Sequence, residues 1–289
     1  MKLSTPFRRL AAAAFAVLLT QAVTPAHAEE PVPTLAQLRS GERALVVGGV
    51  SDFAPFNVIA SDGSLSGMDR DIMRAVAKRI GVKKIEFRAM PFSQMGASLL
   101  DGTIDVIANN YWITPERQRL YAMTVPYYTR GGVGALWRKG DGPFTSLDSL
   151  AGKRVAVFKG SYPDALVRER VPSATVVAVD STSSELDNTL RHGLADVELG
   201  FFTRQRTAVR KQAAADGLEH ALIQPMQSAF AVRKGNDELL GAINHAVDAL
   251  WDDGSLHKIK RKYLEPLGIE PAKTRHPQPP VTEPSAAKP

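Results

Sequence analysis

The chain has 289 residues, 44% hydrophobic and 23% charged, with no cysteine and a formal net charge of +6. That length buries the core of one large domain or two smaller ones, and the missing thiols exclude disulfides and a lipid-bearing cysteine. Three of the positive charges (Lys2, Arg8, Arg9) sit at the extreme N-terminus. No basic cluster interleaved with aromatics lies beyond them, which argues against a nucleic-acid partner.

Lys2, Arg8 and Arg9 precede an apolar run from Leu10 to Leu19, and the segment closes on Ala26-His27-Ala28. A positive start, a short apolar stretch and a small-x-small site predict a secretory signal cleaved after Ala28. The run is too short to span a bilayer, which needs roughly 20 apolar residues. Secretion without cysteines points to a periplasmic protein.

From Ala44 the sequence alternates short apolar runs with amphipathic stretches. Ala44 to Gly49 has the pattern of a buried strand. Asp69 to Ile80 puts Ile72, Ala75, Val76 and Ile80 on one helical face, with Gly81 as the stop. Ile85 and Phe87 suggest a strand, Gln94 to Leu100 a helix, and Ile104 to Ala108 a second buried strand. Thr114-Pro115 reads as the N-cap and first residue of a further helix, placing Arg117 in its first turn.

The rhythm restarts with a strand at Arg154 to Phe158, a helix from Gly160-Ser161 toward Val167, and a strand at Thr175 to Val179. A helix at Ser183 to His192, a strand at Val197 to Gly200 and a helix near Thr203 to Ala214 follow. The pattern ends with a strand at Ala229 to Val232 and helices near Asp237 to Trp251 and Leu256 to Leu264. Two α/β units in one chain predict a ligand cleft between them; a single continuous sheet is the alternative. After Gly268 the chain turns Pro-rich and polar, a composition that predicts a disordered tail over 269–289.

Arg117 raises a physical question of its own. A cation in the first turn of a helix opposes the helix dipole unless an anion sits at that end. A ligand carboxylate would supply the anion, bound by two parallel hydrogen bonds; pairing with Glu116 at the surface is the plainer alternative.

Nine segments then appear in the order of a known family. They are Ala54-Pro55-Phe56, Gly67-Met68-Asp69-Arg70-Asp71, Asp105-Val106-Ile107, Ile113-Thr114-Pro115-Glu116-Arg117, Pro126-Tyr127-Tyr128, Leu147 to Lys153, Lys159-Gly160-Ser161, Ala231 to Gly235 and Asp253-Gly254-Ser255-Leu256. On these the chain resembles the family 3 type of extracytoplasmic solute-binding proteins serving polar amino-acid ABC importers. The resemblance implies an α/β, two-lobed periplasmic-binding-protein fold with a hinge and a central ligand cleft. Lobe one would span 43–130 plus 227–268, lobe two 131–226, and the closed form would be what the membrane permease recognises. It further implies a monomer that holds a small-molecule ligand, with no cofactor, no metal and no chemistry performed.

The resemblance also assigns site residues. Arg117 would hold the ligand carboxylate, and Phe53 would stack on the ligand, unless it is a core phenylalanine. Asn109, Asn110 and Trp112 fall where the family has small cleft-lining residues, although paired asparagines also favour turns. Ser161 and Tyr162 fall where the carboxylate is clasped, although Ser161 would equally cap a helix. The acids that bind the ligand ammonium in amino-acid-binding members are replaced here by Val50 and Phe201. Asp52 and Glu198 are the nearest acidic substitutes, and Glu198 should face away from its strand neighbour Val197. Phe53, Tyr111, Trp112 and Phe201 would form an aromatic wall suited to a cation or a flat apolar group. The expected solute therefore bears a carboxylate without having to be a standard α-amino acid. The competing expectation is an enzyme resembling the prephenate and cyclohexadienyl dehydratases of this fold, with Glu198 or Asp52 as proton donor. No nucleophile elbow, phosphate loop or dinucleotide fingerprint supports it, and the histidines lack metal-ligand spacing.

Overall fold

The computed structural model of the protein describes residues 32–180, 183–211 and 217–273. The signal expected at residues 1–28 and the tail from residue 274 lie outside the described residues.

Helix α1 (Leu35–Ser40) opens on a reciprocal capping box between Thr34 and Gln37. Strand β1 (Leu45–Gly49) follows, then a small antiparallel sheet of β2 (Asp52–Phe53), β3 (Asn57–Ile59) and β4 (Leu65–Ser66). Helix α2 (Met68–Ile80) starts at Gly67, whose φ of 123° no other residue adopts at ease, and ends on Gly81 in the left-handed region. A side chain at position 67 would also place its Cβ 2.2 Å from the Phe56 carbonyl oxygen. Then come β5 (Ile85–Ala89), α3 (Met95–Leu100), β6 (Val106–Trp112), α4 (Pro115–Leu120) and β7 (Ala122–Met123).

Strand β8 (Tyr128–Arg138) carries the chain into a second unit of β9 (Arg154–Phe158), α5 (Tyr162–Arg170), β10 (Thr175–Val179), α6 (Ser183–Arg191), β11 (Val197–Phe201) and α7 (Phe202–Lys211). Strand β12 (Leu218–Val232) brings it back, and α8 (Asp237–Asp252) and α9 (Ser255–Leu264) pack on the first unit. Ile72, Met73, Val76 and Ile80 of α2 and Leu239, Ile243, Val247 and Leu250 of α8 are buried in one core. Each contributes about 1.5–3 kcal/mol by leaving water.

Within each unit the central strands are parallel, in the order β5-β1-β6 on one side and β10-β9-β11 on the other. Strands β8 and β12 run antiparallel to each other and to their outer neighbours β11 and β6. Because both are long enough to belong to both units, hydrogen bonding continues through one nine-stranded sheet across two α/β lobes. The ladder is therefore unbroken, as the single-sheet alternative required, yet it joins two separate parallel blocks. Close approach of the two crossing backbones explains Gly132 of β8, where a Cβ would lie 2.0 Å from the Gln224 carbonyl oxygen of β12.

The crossing is also polar inside. Asn110, the only non-glycine residue of positive φ (48°) among the described residues, donates its N–H to buried Asp69 and accepts from the Ser228 hydroxyl. Burial pushes the Asp69 carboxyl up to about 7. Lys260 is 1% exposed, with its Nζ 3.4 Å from the centre of the Trp251 ring and 3.4 Å from the Tyr127 carbonyl oxygen. The same burial pushes its ammonium down to about 7. Past α9, Ile269 and Ala272 are buried, so packing extends into the first residues of the segment expected to be a free tail.

Candidate ligand cleft

A cavity of about 440 Å³ opens between the two lobes. One wall consists of Val50 to Phe53 after β1, Ala89 to Phe92 after β5, and Asn109 of β6. The other consists of Phe158 and Lys159 after β9, Val179 and Asp180 after β10, and Phe201 at the end of β11. These are the carboxyl ends of the parallel strands, where crevices of α/β sheets take their ligands.

Three of the residues expected from the sequence line this cavity: Phe53, Asn109 and Phe201. Phe53 and Phe201 meet edge to face with ring centres 4.8 Å apart, joining the two lobes at the cavity floor. Asn109 holds the wall in place: its Oδ1 accepts the Val50 N–H at 3.0 Å and the Asn57 amide at 3.1 Å.

The other five are not among the residues that line the cavity. Asn110 fixes the backbone at the crossing, as described. Trp112, fully buried, packs on Phe201 with ring centres 4.4 Å apart and on Tyr162 at 6.1 Å. Ser161 caps α5 by accepting the Asp164 N–H at 3.3 Å. Tyr162 accepts a hydrogen bond from the Gln224 amide at 3.2 Å.

Arg117 takes the first-turn position that Thr114-Pro115 dictates, its N–H donating to Thr114 Oγ1 at 3.2 Å. Its side chain turns back, and Nη1 donates to the Trp112 carbonyl at 3.0 Å. The guanidinium lies 3.7 Å from the centre of the Tyr111 ring and 5.8 Å from that of Phe92. The face of the Tyr111 ring thus meets the guanidinium directly. Arg117 is 8% exposed and forms no ion pair with a carboxylate among the described residues. Burial lowers its pKa, the sign of a cation short of counter-charge.

Sequence reasoning missed Met90, Pro91, Phe92 and Phe158, which complete the apolar wall, and Lys159 and Asp180 at its rim. The latter two pair at 3.3 Å. They follow strand ends that were legible, so the strand-end rule alone would have flagged Lys159 and Asp180. Phe92 sits in a short 3-10 turn that no periodicity announces.

The two acidic substitutes part company. Asp52 lines the cavity and reaches across it, its Oδ2 accepting from the Ser184 N–H at 3.3 Å and the Ser184 hydroxyl at 3.1 Å. Glu198 faces away, fully buried in an ion pair with Arg204, which also holds Asp187 at 2.6 Å. A carboxylate so engaged has no route for a proton into the cleft. Among the described residues no group of acidic or histidine side chains is placed to hold a metal, and no helix is long and apolar enough to cross a membrane.

Two α/β lobes, two crossing strands and an interlobar cavity at the strand ends define the class of two-lobed solute-binding proteins. The chain matches the bacterial extracellular solute-binding proteins, family 3, over residues 45–266, and belongs to that family. It is 30% identical over 221 residues to the L-cystine-binding protein TcyJ of Escherichia coli strain K12, covering 76% of this chain and 82% of that one. Among solved structures it is similar to an ancestral arginine-binding protein bound to glutamine, with 33% identity and a TM-score of 0.70 over 76% of this chain and 97% of the other. It is also similar to a solute receptor for L-cysteine of Neisseria gonorrhoeae, with 25% identity and a TM-score of 0.74 over 81% and 95% of the two chains. The family is one of solute-binding proteins, and this chain is accordingly a binding protein rather than an enzyme.

Proposed function

We propose that the protein is the monomeric periplasmic capture subunit of an ABC importer, taking up an amino acid or amino-acid-like carboxylate. Its lobes span 43–130 plus 227–268 and 131–226, and they close about β8 and β12 to present the loaded form to a membrane permease. A secretory signal cleaved after Ala28 delivers it. Amino-acid ligands are named for its relatives, and the feature of this chain that carries the reading is Arg117. A guanidinium nine-tenths buried without a carboxylate partner costs free energy that an incoming carboxylate offsets.

Titration calorimetry with L-amino acids and their decarboxylated amines tests this. The acids bind and the amines do not. Arg117→Lys, which keeps the charge but not the planar fork, weakens binding at least tenfold, in line with about 1.5–3 kcal/mol for a charge-assisted hydrogen bond. Equal binding of acids and amines would overturn the assignment.

A further inference from the structure

The chemistry of the cavity points past the carboxylate to the rest of the solute. Met90, Phe92 and Phe158 line the cavity and are only half-buried. They come from both lobes, the first two after β5 and the third at the end of β9. Phe201, held by Phe53 at 4.8 Å, Trp112 at 4.4 Å and Phe158 at 6.4 Å, forms the floor between them. Large apolar side chains left partly wet in a cleft gain most from a ligand group that covers them with apolar surface.

The polar groups of the cavity are arranged to leave that region uncharged. Lys159 and Asp180 pair with each other at the exposed rim. The Asp52 carboxylate is turned toward Ser184. Val50 stands on the wall with its N–H already given to Asn109. The deep acid of lobe two, Glu198, is consumed by Arg204. The charged side chains that line the cavity, Asp52, Lys159 and Asp180, are thus engaged with partners of their own, and a guanidinium, imidazolium or carboxamide seated on Met90, Phe92, Phe158 and Phe201 would lose water without full replacement. A thioether or an aromatic ring meets no such cost and gains contacts with the surrounding rings and the Met90 sulfur. The cavity, at about 440 Å³, has room for a side chain of that size together with a head group.

We propose that the solute carries a bulky apolar side chain, aromatic or thioether, seated between Met90, Phe92, Phe158 and Phe201. This rests on the amino-acid reading above. The test is calorimetry on the full mature chain with L-phenylalanine, L-methionine, L-arginine, L-glutamine and L-cystine, repeated with Met90→Gln and Phe158→Gln. Phenylalanine or methionine binds at least tenfold tighter than the three polar ligands, and both variants erase that preference while retaining the wild-type melting temperature within a few degrees. Polar ligands binding as tightly as the apolar pair, or a preference untouched by both variants, would overturn the inference and leave amino-acid capture standing. Binding of none of the five would overturn both.

Discussion

The contact between Asp52 and Ser184 makes the closure of the lobes measurable. Asp52 belongs to β2 in the first unit and Ser184 to the first turn of α6 in the second, and two hydrogen bonds of 3.3 and 3.1 Å join them across the cleft. The site is exposed, so each bond sits at the lower end of the usual range, about 0.5–1 kcal/mol. A carboxylate at a helix N-terminus adds a few tenths of a kcal/mol. Removing both bonds with Asp52→Ala shifts the balance between closed and open forms by about 1–2 kcal/mol, or roughly 5–30-fold toward open. Fluorescence energy transfer between a dye on each lobe, read without ligand and through a titration, reports that shift. The dissociation rate of a bound solute rises by a similar factor. Ser184→Ala is the control: it deletes the hydroxyl bond without altering a cavity residue, and its effect is about half that of Asp52→Ala. A double-mutant cycle showing no coupling between the two positions refutes the latch.

Lys260 makes stability depend on pH. Its folded pKa of about 7 lies below the ordinary lysine value, because burial penalises the ammonium. The unfolded chain thus holds a proton that the folded chain has released between pH 7 and 10.5, and stability rises with pH across that window by at most about 1.4 kcal/mol per unit. Lys260→Met removes this contribution, so its melting temperature exceeds wild type below pH 7 and the advantage shrinks toward pH 10.5; a pH-independent difference would refute it. Gly67→Ala forces a Cβ to 2.2 Å from the Phe56 carbonyl at a φ of 123°. It lowers the unfolding free energy by about 2–4 kcal/mol in denaturant titrations, and a loss under 1 kcal/mol would show that the turn relaxes freely.

Much of the fold was readable because local signals agreed with the tertiary result. Helix α2 carried its apolar face and its Gly81 stop, and α4 its Thr114-Pro115 start. Strands β1, β9 and β11 are short apolar runs bounded by turns, the mark of buried parallel strands, and β10 is an apolar run at the sheet edge. Strand β8 escaped notice because Gly131, Gly132 and Gly134 dilute its apolar pattern, and Gly132 and Gly134 serve contacts made far along the chain. Only the end of β12 was visible, because its first ten residues alternate around polar and half-buried positions. In the site, residue types pointed to the cleft, but direction did not follow from them. Trp112 and Phe201 pack against each other, and Arg117 folds back on the Trp112 carbonyl.

The long crossing strands also constrain how the chain can be assembled. Ala231 and Val232 of β12 pair with Ile107 and Val106 of β6, and with Met123 and Ala122 of β7, after more than a hundred intervening residues. The face of α2 that meets α8 and α9 waits longer still for its partners. A chain emerging from its N-terminus therefore cannot finish the first unit until the last third has been made, whereas the strands from Tyr128 to Ser228, themselves in register, can pair earlier. The half synthesised first is completed last.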